Sequence, residues 1–226
     1  MNILVVAATP FEIQPLLEYL DKKFVGSGHF TYQKGGVEVA VLITGVGLPL
    51  MSYAMGKVLG SKETSLAINA GIAGALDPEM QIGDVVQIAS ERFADLGVQE
   101  ADGRFTSVHE LGLIDPDTPP FRGGKLLNEA AGNFDFLPAA HGISVNKVHG
   151  FPSDIEALRK KYPDAQVESM EGAAFFYACL AEGLPFLEVR SISNYVEARN
   201  RENWDVPLAI ERLNEVLIEL IESFFG

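Results

Sequence analysis

The sequence has little of what disulfides and metal centres are built from. Among its 226 residues there is one cysteine, Cys179, which alone can form neither an intrachain disulfide nor a thiolate metal site, so we expect a buried apolar side chain. The four histidines are His29, His109, His141 and His149. None makes a metal-ligand spacing with another, and we interpret them as solvated loop residues. We therefore expect neither a metal nor a cofactor.

Positive charge is scarce as well, and long hydrophobic runs are missing. The chain has 17 lysines and arginines against 31 aspartates and glutamates, a formal net charge of −14. So acidic a protein repels nucleic-acid phosphates, which argues against nucleic acid as a partner. The opening M-N-I-L-V-V-A-A is too short for a membrane span and lacks the basic flank of a signal peptide. We expect no membrane partner and a cytoplasmic protein.

Apolar strand-like runs alternate with helical periodicity along the chain. The strand-like runs are 3–7, 37–43, 66–69, 84–89, 143–145, 167–170 and 186–193. The helical patterns cover 10–22, 49–60, 123–132, 153–161, 171–182 and 205–224. This alternation predicts one α/β domain over residues 1–226, with three layers (α/β/α) around a mixed, largely parallel, twisted sheet.

Residues 91–122 interrupt the alternation. The segment opens with E-R-F-A-D-L-G-V-Q-E-A-D-G-R-F and closes with D-P-D-T-P-P-F-R. A stretch this long and this rich in turn residues is typical of a functional loop, so we treat 91–122 as an excursion from the main fold.

Carboxylates stand at two turns where strand-like runs give way to helices. In A-T-P-F-E, Thr9 suits a helix cap and Glu12 falls at the third helical position, so the pair forms a capping box. The same Glu12, beside the carboxyl edge of a sheet, is placed to activate water. In V-E-S-M-E-G-A-A, Glu171 suits a helix start, yet Glu168 and Glu171 also suit a ribose diol, which needs a carboxylate to accept two hydrogen bonds.

Small residues follow two other strand-like runs. T-G-V-G at 44–47 allows either a plain tight turn or a close approach to an anion. In N-A-G-I-A-G-A at 69–75, backbone exposed by the small residues suits a flat ligand, and tight helix–strand packing explains them equally well.

These pieces, in this order, resemble the nucleoside phosphorylase/nucleosidase superfamily. Within it the chain resembles the nucleosidases that cleave methylthioadenosine and adenosylhomocysteine, and most of all the futalosine hydrolase family of the alternative menaquinone pathway. The resemblance covers nearly the whole chain, ending in V-R-S-I-S-N. It implies a nucleoside phosphorylase-like fold, a small-molecule nucleoside as substrate, and a homodimer or larger homo-oligomer whose neighbouring subunit completes the 5′ pocket. The excursion at 91–122 is the candidate interface.

The resemblance assigns roles around the sugar. It implies that Glu12 activates the attacking water. Met170 and Glu171 hold the ribose, with Glu171 on the 2′ and 3′ hydroxyls, and Arg190 braces that carboxylate from the next strand. An acidic group at the nucleophile position repels phosphate, and no arginine precedes Arg92, so the sequence favours water over phosphate.

Around the base the chain departs from its adenine-specific relatives. The resemblance puts Ala73 and Gly74 against the purine and sugar. Adenine-specific members carry aspartate where this chain has Asn194, and serine where it has Ile72. The stretch S-V-N-K-V-H-G before Phe151 also departs from their base-stacking loop and resembles the futalosine hydrolase form.

Asparagine at position 194 indicates a 6-oxopurine. An aspartate would set an acceptor against the 6-oxo oxygen, whereas an amide offers one donor and one acceptor. A mismatched buried polar pair costs about 1–3 kcal/mol, roughly one to two decades in rate or binding. The sequence thus favours hydrolysis of futalosine to hypoxanthine, with Asn194 taking part in catalysis and solvent supplying the leaving-group proton. The alternative for Asn194 is a strand-end cap.

Two further questions stay open. Arg199 and Arg201 are candidates for binding the carboxylated 5′ tail of futalosine, as are Arg104 and Arg122, and the alternative is a solvated charged loop. Other readings of the function are a purine nucleoside phosphorylase, an adenine nucleosidase acting on aminofutalosine, methylthioadenosine or adenosylhomocysteine, and a non-catalytic nucleoside-binding protein.

Overall fold

A β-sheet with helices on both faces forms the framework of the computed structural model, which describes residues 1–59, 63–129, 131 and 137–225. The helices are α1 (Gln14–Lys23), α2 (Leu48–Leu59), α3 (Pro152–Lys161), α4 (Gly172–Ala181) and α5 (Val206–Ser223), with 3-10 turns at Pro10–Ile13 and Arg201–Asn203. Among these described helices, none has the length and apolar character needed to cross a membrane.

The strands run through the whole described chain. They are β1 (Asn2–Ala7), β2 (Val25–Gly28), β3 (Thr31–Lys34), β4 (Val37–Ile43), β5 (Leu66–Ala75), β6 (Val85–Glu91), β7 (Gly97–Gln99), β8 (Phe105–Ser107), β9 (Leu126–Leu127), β10 (Ala139–Ser144), β11 (Val167–Ser169) and β12 (Phe186–Tyr195).

The main sheet is mixed and largely parallel, as predicted. Its order is β11-β10-β6-β12-β5-β1-β4-β3-β2. Strand β1 runs parallel to β4 and β5, and β12 runs parallel to β5. Strand β6 is antiparallel to β12, and β11 pairs with both β10 and β5. The second pairing of β11 closes the strands β5, β12, β6, β10 and β11 into a ring.

Helices cover both faces of the sheet, which confirms the three-layer prediction. On β1, Ile3 and Val5 pack in one core with buried residues of α1 and α5. Leu4 and Val6 face the opposite way, into a second core with α2 and α4. Burial on both faces explains why the central strands are apolar at successive positions instead of alternating.

Strands β5 and β12 are longer than the sequence predicts, and this length brings the site together. The run predicted for 66–69 continues to Ala75, because β12 and β11 supply partners for the small residues of N-A-G-I-A-G-A. In the pairing of β5 with β12, Arg190 lies opposite Gly71 and Asn194 lies opposite Gly74. A register shift between Ile192 and Asn194 bulges β12 at this point.

One predicted element is wrong, and one observed hairpin was not predicted. The helix predicted over 123–132 is wrong where the chain is described, since Leu126 and Leu127 form β9 against β6, and residues 130 and 132–136 lie outside the described residues. The hairpin of β2 and β3 was not predicted, because V-G-S-G lacks the β-branched alternation of a strand. The excursion at 91–122 contains the β7–β8 hairpin followed by turns.

Candidate active site

Glu12 is held in the first helical turn, where the structure shows the capping box predicted for A-T-P-F-E. The backbone N–H and the hydroxyl of Thr9 each donate to Glu12 Oε2 at 3.0 Å, which is the capping-box contact. The second oxygen, Oε1, accepts from the backbone N–H of Ile72 at 3.3 Å, on β5. Burial raises the pKa of the Glu12 carboxyl above its usual 4.5, the Arg190 charge opposes that shift, and Glu171 adds to it.

Arg190 is the positive charge at the centre of the site. Its side chain is 1% exposed, and its Nε donates to Glu188 Oε1 at 2.9 Å. Its Nη1 lies 3.9 Å from Glu171 Oε2. Its Nη2 is buried without a hydrogen-bond partner among the described residues. Burial alone would lower the Arg190 pKa, but the carboxylates of Glu188, Glu171 and Glu12 outweigh it and raise the pKa.

Gly71 makes room for this charge. A side chain at position 71 would collide with Arg190 Nη1, and its Cβ would lie 3.0 Å from Glu12 Oε1. The small residue of β5 therefore lets the guanidinium and the candidate base approach the same stretch of backbone. Tight packing, not an exposed backbone, explains this glycine.

Glu171 is fixed from two sides. Its Oε1 accepts from the backbone N–H of Gly47 at 2.8 Å, and Arg190 faces its Oε2. Gly47 has φ +102°, which favours glycine, and it closes the T-G-V-G turn. The anion that this turn approaches is thus the Glu171 carboxylate of the protein. Glu171 also precedes α4, as the helix-start reading predicts.

A pocket begins where Gly74 lies opposite Asn194. It is lined by Gly74, Val148, His149, Glu168, Asn194, Tyr195, Val196, Glu197, Arg199, Asn200 and Trp204. The Asn194 amide is oriented by its neighbours: Nδ2 donates to the Tyr195 carbonyl at 2.9 Å, and Oδ1 accepts from the Ser193 hydroxyl at 2.8 Å. A carbonyl only accepts, so the Nδ2 assignment is fixed.

His149 contradicts the prediction that the loop histidines are solvated. Its side chain is 15% exposed and lines the pocket with Asn194. Its Nδ1 lies 2.5 Å from Glu168 Oε2, and its backbone N–H donates to Glu168 Oε1 at 3.1 Å. Glu168 and Glu171, predicted to act together, thus serve different neighbours. The sequence signal was the departure of S-V-N-K-V-H-G from the adenine-specific pattern.

A buried carboxyl pair next to Arg190 was also missed. Glu188 and Glu91 are 0% and 1% exposed. Asn69 donates to Glu188 at 3.2 Å, and the Ser144 hydroxyl donates to Glu91 Oε2 at 3.0 Å. Burial raises the pKa of Glu91 well above its usual range, with Glu188 adding to the rise. Burial also raises the pKa of Glu188, where the charge of Arg190, its hydrogen-bond partner, opposes the rise.

The remaining predicted residues are spread around these two centres. Ala73 is buried in the α2–α4 core, with its carbonyl oxygen 3.2 Å from the Ser193 hydroxyl. Met170 is half-buried between β11 and Glu171. Arg199 lines the Asn194 pocket with its guanidinium 5.4 Å from the Trp204 ring centre, whereas Arg201 is exposed and does not line that pocket. Arg104 and Arg122 pair with Asp102 and Glu129.

The geometry combines a raised-pKa carboxyl, a second carboxylate braced by arginine, and an amide in an adjoining pocket. Glu12 can take a proton, since a carboxyl with a raised pKa is a stronger base than an ordinary one. Arg190 Nη1 faces Glu171 Oε2 at 3.9 Å, and a carboxylate so placed can accept hydroxyl hydrogens. Asn194 offers a donor and an acceptor to a polar ring edge.

Comparison with known proteins gives the family of the chain. A family model described as the Phosphorylase superfamily matches residues 2–225. A futalosine hydrolase of Acidothermus cellulolyticus is 35% identical over 187 residues, covering 80% of this chain and 74% of that protein. A 5′-methylthioadenosine/S-adenosylhomocysteine nucleosidase of Maridesulfovibrio salexigens is 31% identical over 206 residues, covering 87% of each.

A solved structure shares the fold. The S-adenosylhomocysteine nucleosidase of Streptococcus pyogenes, in complex with 5-methylthiotubericidin, has a TM-score of 0.82 at 19% identity, covering 99% of this chain and 97% of that one. The chain therefore belongs to the phosphorylase superfamily, within the group that contains the futalosine hydrolases and the methylthioadenosine/adenosylhomocysteine nucleosidases.

Proposed function

We propose that this nucleosidase hydrolyses the N-glycosidic bond of a 5′-modified 6-oxopurine nucleoside, and that the substrate is futalosine. The products are hypoxanthine and dehypoxanthine futalosine, as in menaquinone biosynthesis. The observation that carries the proposal is the oriented amide of Asn194 beside Gly74. The similarity to the Acidothermus cellulolyticus futalosine hydrolase supports it.

The sugar end of the reaction uses the carboxylates around Arg190. As the C1′–N9 bond breaks, the ribose gains positive oxocarbenium character, which the nearby carboxylates stabilise. Glu12 takes a proton from water attacking C1′, while Thr9 and Ile72 hold its two oxygens in place. Glu171 accepts from the 2′ and 3′ hydroxyls and Met170 packs below the sugar. Arg190 braces Glu171 from the neighbouring strand, with its Nη1 3.9 Å from Glu171 Oε2.

The base end selects the 6-oxo group. A Cβ on Gly74 would lie 3.1 Å from Asn194 Nδ2, so the amide donor faces the glycine side of the pocket. One N–H of that amide goes to the Tyr195 carbonyl. The other N–H is the donor for a purine O6, and Oδ1 keeps a second lone pair for a protonated N7. Ala73 and Gly74 bring β5 against the purine and sugar.

Water is the nucleophile in this proposal. Glu12 and Glu171 both lie next to Arg190, and that arginine is already engaged by Glu188 and Glu171. A phosphate would meet these carboxylates without a free arginine to bind it. The raised pKa of Glu12 suits abstraction of a proton from water.

Adenine release is the second candidate, because the Maridesulfovibrio salexigens nucleosidase covers more of the chain than the futalosine hydrolase does. The two candidates differ at Asn194. An adenine nucleosidase would need the amide oxygen, in place of the Nδ2 donor, opposite the 6-amino group, which means turning Nδ2 away from the Tyr195 carbonyl that now fixes it. This contact favours the 6-oxo substrate.

The test is purine-base release, measured by chromatography, from futalosine, aminofutalosine, inosine and methylthioadenosine, each with and without phosphate. We expect phosphate-independent hypoxanthine release, fastest from futalosine. Adenine release at an equal or greater rate would disprove the role of Asn194. Phosphate dependence would make the protein a phosphorylase, and tight binding without turnover would make it a binding protein.

Asn194→Asp, compared with Asn200→Asp in the same pocket rim, should raise the adenine-to-hypoxanthine rate ratio by about 10- to 100-fold.

Arg199 and Arg201 are proposed to bind the carboxylated 5′ tail. Replacing each with alanine should raise KM for futalosine and leave KM for inosine unchanged. Arg199 already lines the Asn194 pocket, so its effect is expected to exceed that of Arg201. An equal change for both nucleosides would remove the tail-binding role.

The protein is proposed to act as a homodimer or larger homo-oligomer. Exposed apolar side chains lie on α2 and its N-terminal turn, on α4 and in the excursion: Val46, Leu50, Tyr53, Leu111, Leu113 and Tyr177. Helix α2 packs on α4, and Tyr177 of α4 contacts Phe121 at the end of the excursion, with ring centres 5.8 Å apart. An apolar face of this kind favours association with a second copy.

A further inference from the structure

The proposed base chemistry leaves one proton without a donor in the protein. When the C1′–N9 bond breaks, its electron pair moves into the purine, and an anionic base is a poor leaving group. Asn194 is neutral and cannot supply a proton. A group with an exchangeable proton in the same pocket would remove this barrier.

We infer that His149 is a catalytic general acid for the departing purine and that Glu168 is its positioning residue. This inference rests on the proposed nucleoside hydrolysis. His149 lines the pocket together with Asn194 and Gly74, so it faces the same ring as the amide. No other histidine of the described residues lines this pocket.

Glu168 gives the imidazole one orientation. Glu168 Oε2 lies 2.5 Å from His149 Nδ1, and Glu168 Oε1 accepts from the backbone N–H of His149. One carboxylate thus contacts both the ring and the backbone of the histidine. The carboxylate can only accept, and therefore Nδ1 carries a hydrogen. With Nδ1 turned to Glu168, Nε2 is the ring nitrogen left to meet the ligand, and it carries the transferable proton when the imidazole acts as an acid.

The other ring nitrogen is available to the ligand. Within the described ranges, His149 Nε2 makes no hydrogen bond to the protein. Glu168 is 3% exposed and lies opposite Gly74 in the pairing of β11 with β5. Strand pairing thus fixes the Glu168 carboxylate on the sheet beside the Asn194 pocket. His149, on the loop before Phe151, is held against that carboxylate.

The proton balance of the reaction closes with these two residues. The imidazolium Nε2 gives its proton to a purine ring nitrogen as C1′–N9 breaks, so hypoxanthine leaves as a neutral molecule. Water adds to C1′ and gives its proton to Glu12. After release, the Glu12 proton returns through solvent to His149, and the net reaction is nucleoside plus water to purine plus free sugar.

The deciding experiment compares two leaving groups in His149→Asn. Asparagine keeps a side-chain N–H for Glu168 but cannot transfer a proton. We expect kcat for hypoxanthine release to fall by about 10²- to 10⁴-fold, with KM changed only a few-fold. Hydrolysis of 4-nitrophenyl riboside, whose leaving group needs no proton, should stay within a few-fold of the parent protein. The matched control is His29→Asn, on an exposed loop.

The same assay tests the role of Glu168. It also distinguishes a failure of the His149 proposal from a failure of the proposed substrate. Glu168→Gln should lower kcat for the purine nucleoside less than His149→Asn does, and the double variant should be no slower than His149→Asn alone. Equal losses on both leaving groups, or no loss on the purine nucleoside, would overturn the role of His149. If the parent protein releases adenine instead of hypoxanthine, the proposed substrate fails, and the comparison is made with the nucleoside that is cleaved.

Discussion

At the scale of single residues, Glu12 serves local structure and candidate chemistry with the same atoms. The capping box uses Oε2, and Oε1 reaches across to β5. A capping role needs only an acceptor, whereas water activation needs a group that takes a proton. These two requirements can therefore be separated by one substitution.

Glu12→Gln should keep the fold and lose the activity. The glutamine oxygen can still accept from Thr9, but it cannot take a proton, so kcat/KM should fall by about 10²- to 10⁴-fold. Burial raises the Glu12 pKa, so the activity of the parent protein should fall on acidification at a pH above 4.5. Glu18→Gln, on the exposed face of α1, is the control. A fully active Glu12→Gln would leave only the capping role.

The buried Glu91 predicts a pH-dependent stability. In the unfolded chain its pKa is near 4.5, and in the folded protein it lies well above that value. Between the two values the folded state keeps a proton that the unfolded state has lost, so the free energy of unfolding falls as pH rises through this window.

Glu91→Gln removes this titration. The glutamine oxygen still accepts from Ser144 and from the backbone N–H of Arg92. Urea unfolding at a series of pH values from about 5 upward should show a smaller loss of stability in the variant than in the parent. Exposed Glu219→Gln should follow the parent curve. Parallel curves for parent and Glu91→Gln would mean that Glu91 is ionised in the folded protein.

Sequence reasoning located residues better when their role depends on a local motif. Glu12, Glu171 and Asn194 stand in short sequence motifs. The first two lie around Arg190, and Asn194 lines the adjoining pocket. His149 was missed because nothing in its own loop shows that it lies near Glu168, 19 residues away on β11. Long-range contacts of this kind depend on the sheet order, which periodicity does not reveal.

At the scale of elements, the lengths of β5 and β12 decide the geometry. The sequence predicts the apolar first half of β5 and misses the second half, because N-A-G-I-A-G-A consists mostly of small residues and has a single β-branched residue, Ile72. Two flanking strands supply the hydrogen bonds that local propensity does not. The helix predicted over 123–132 failed for the same reason, since pairing with β6 overrides local pattern at Leu126 and Leu127.

Gly71→Ala tests whether the small residues of β5 exist to admit Arg190. The new methyl group would collide with Arg190 Nη1. Overpacking of this kind costs about 1–3 kcal/mol, and displacement of the guanidinium should also lower kcat. Gly26→Ala, on β2 with open space around the added methyl, should leave both stability and kcat near the parent values. Circular dichroism during urea unfolding, with base-release kinetics, measures both effects.

At the scale of the whole molecule, high negative charge and an exposed apolar face act in opposite directions. A formal charge of −14 makes copies of the protein repel one another. The apolar face of α2, α4 and the excursion favours self-association through that one surface. Assembly through that face would leave the acidic remainder of the surface in water. Salt should strengthen the association, since it screens repulsion between like-charged subunits.

Tyr53→Glu should dissociate the oligomer. Tyr53 is 72% exposed on α2, and a carboxylate there would be buried against the partner without a counter-charge. Sedimentation equilibrium should show the dissociation constant rising at least about ten-fold, which corresponds to about 1.4 kcal/mol. Val25→Glu changes a residue that is 74% exposed on strand β2, at the far edge of the sheet, and should leave the dissociation constant unchanged. A parent protein that stays monomeric at all concentrations, or a Val25→Glu that dissociates equally, would place the interface elsewhere or remove it.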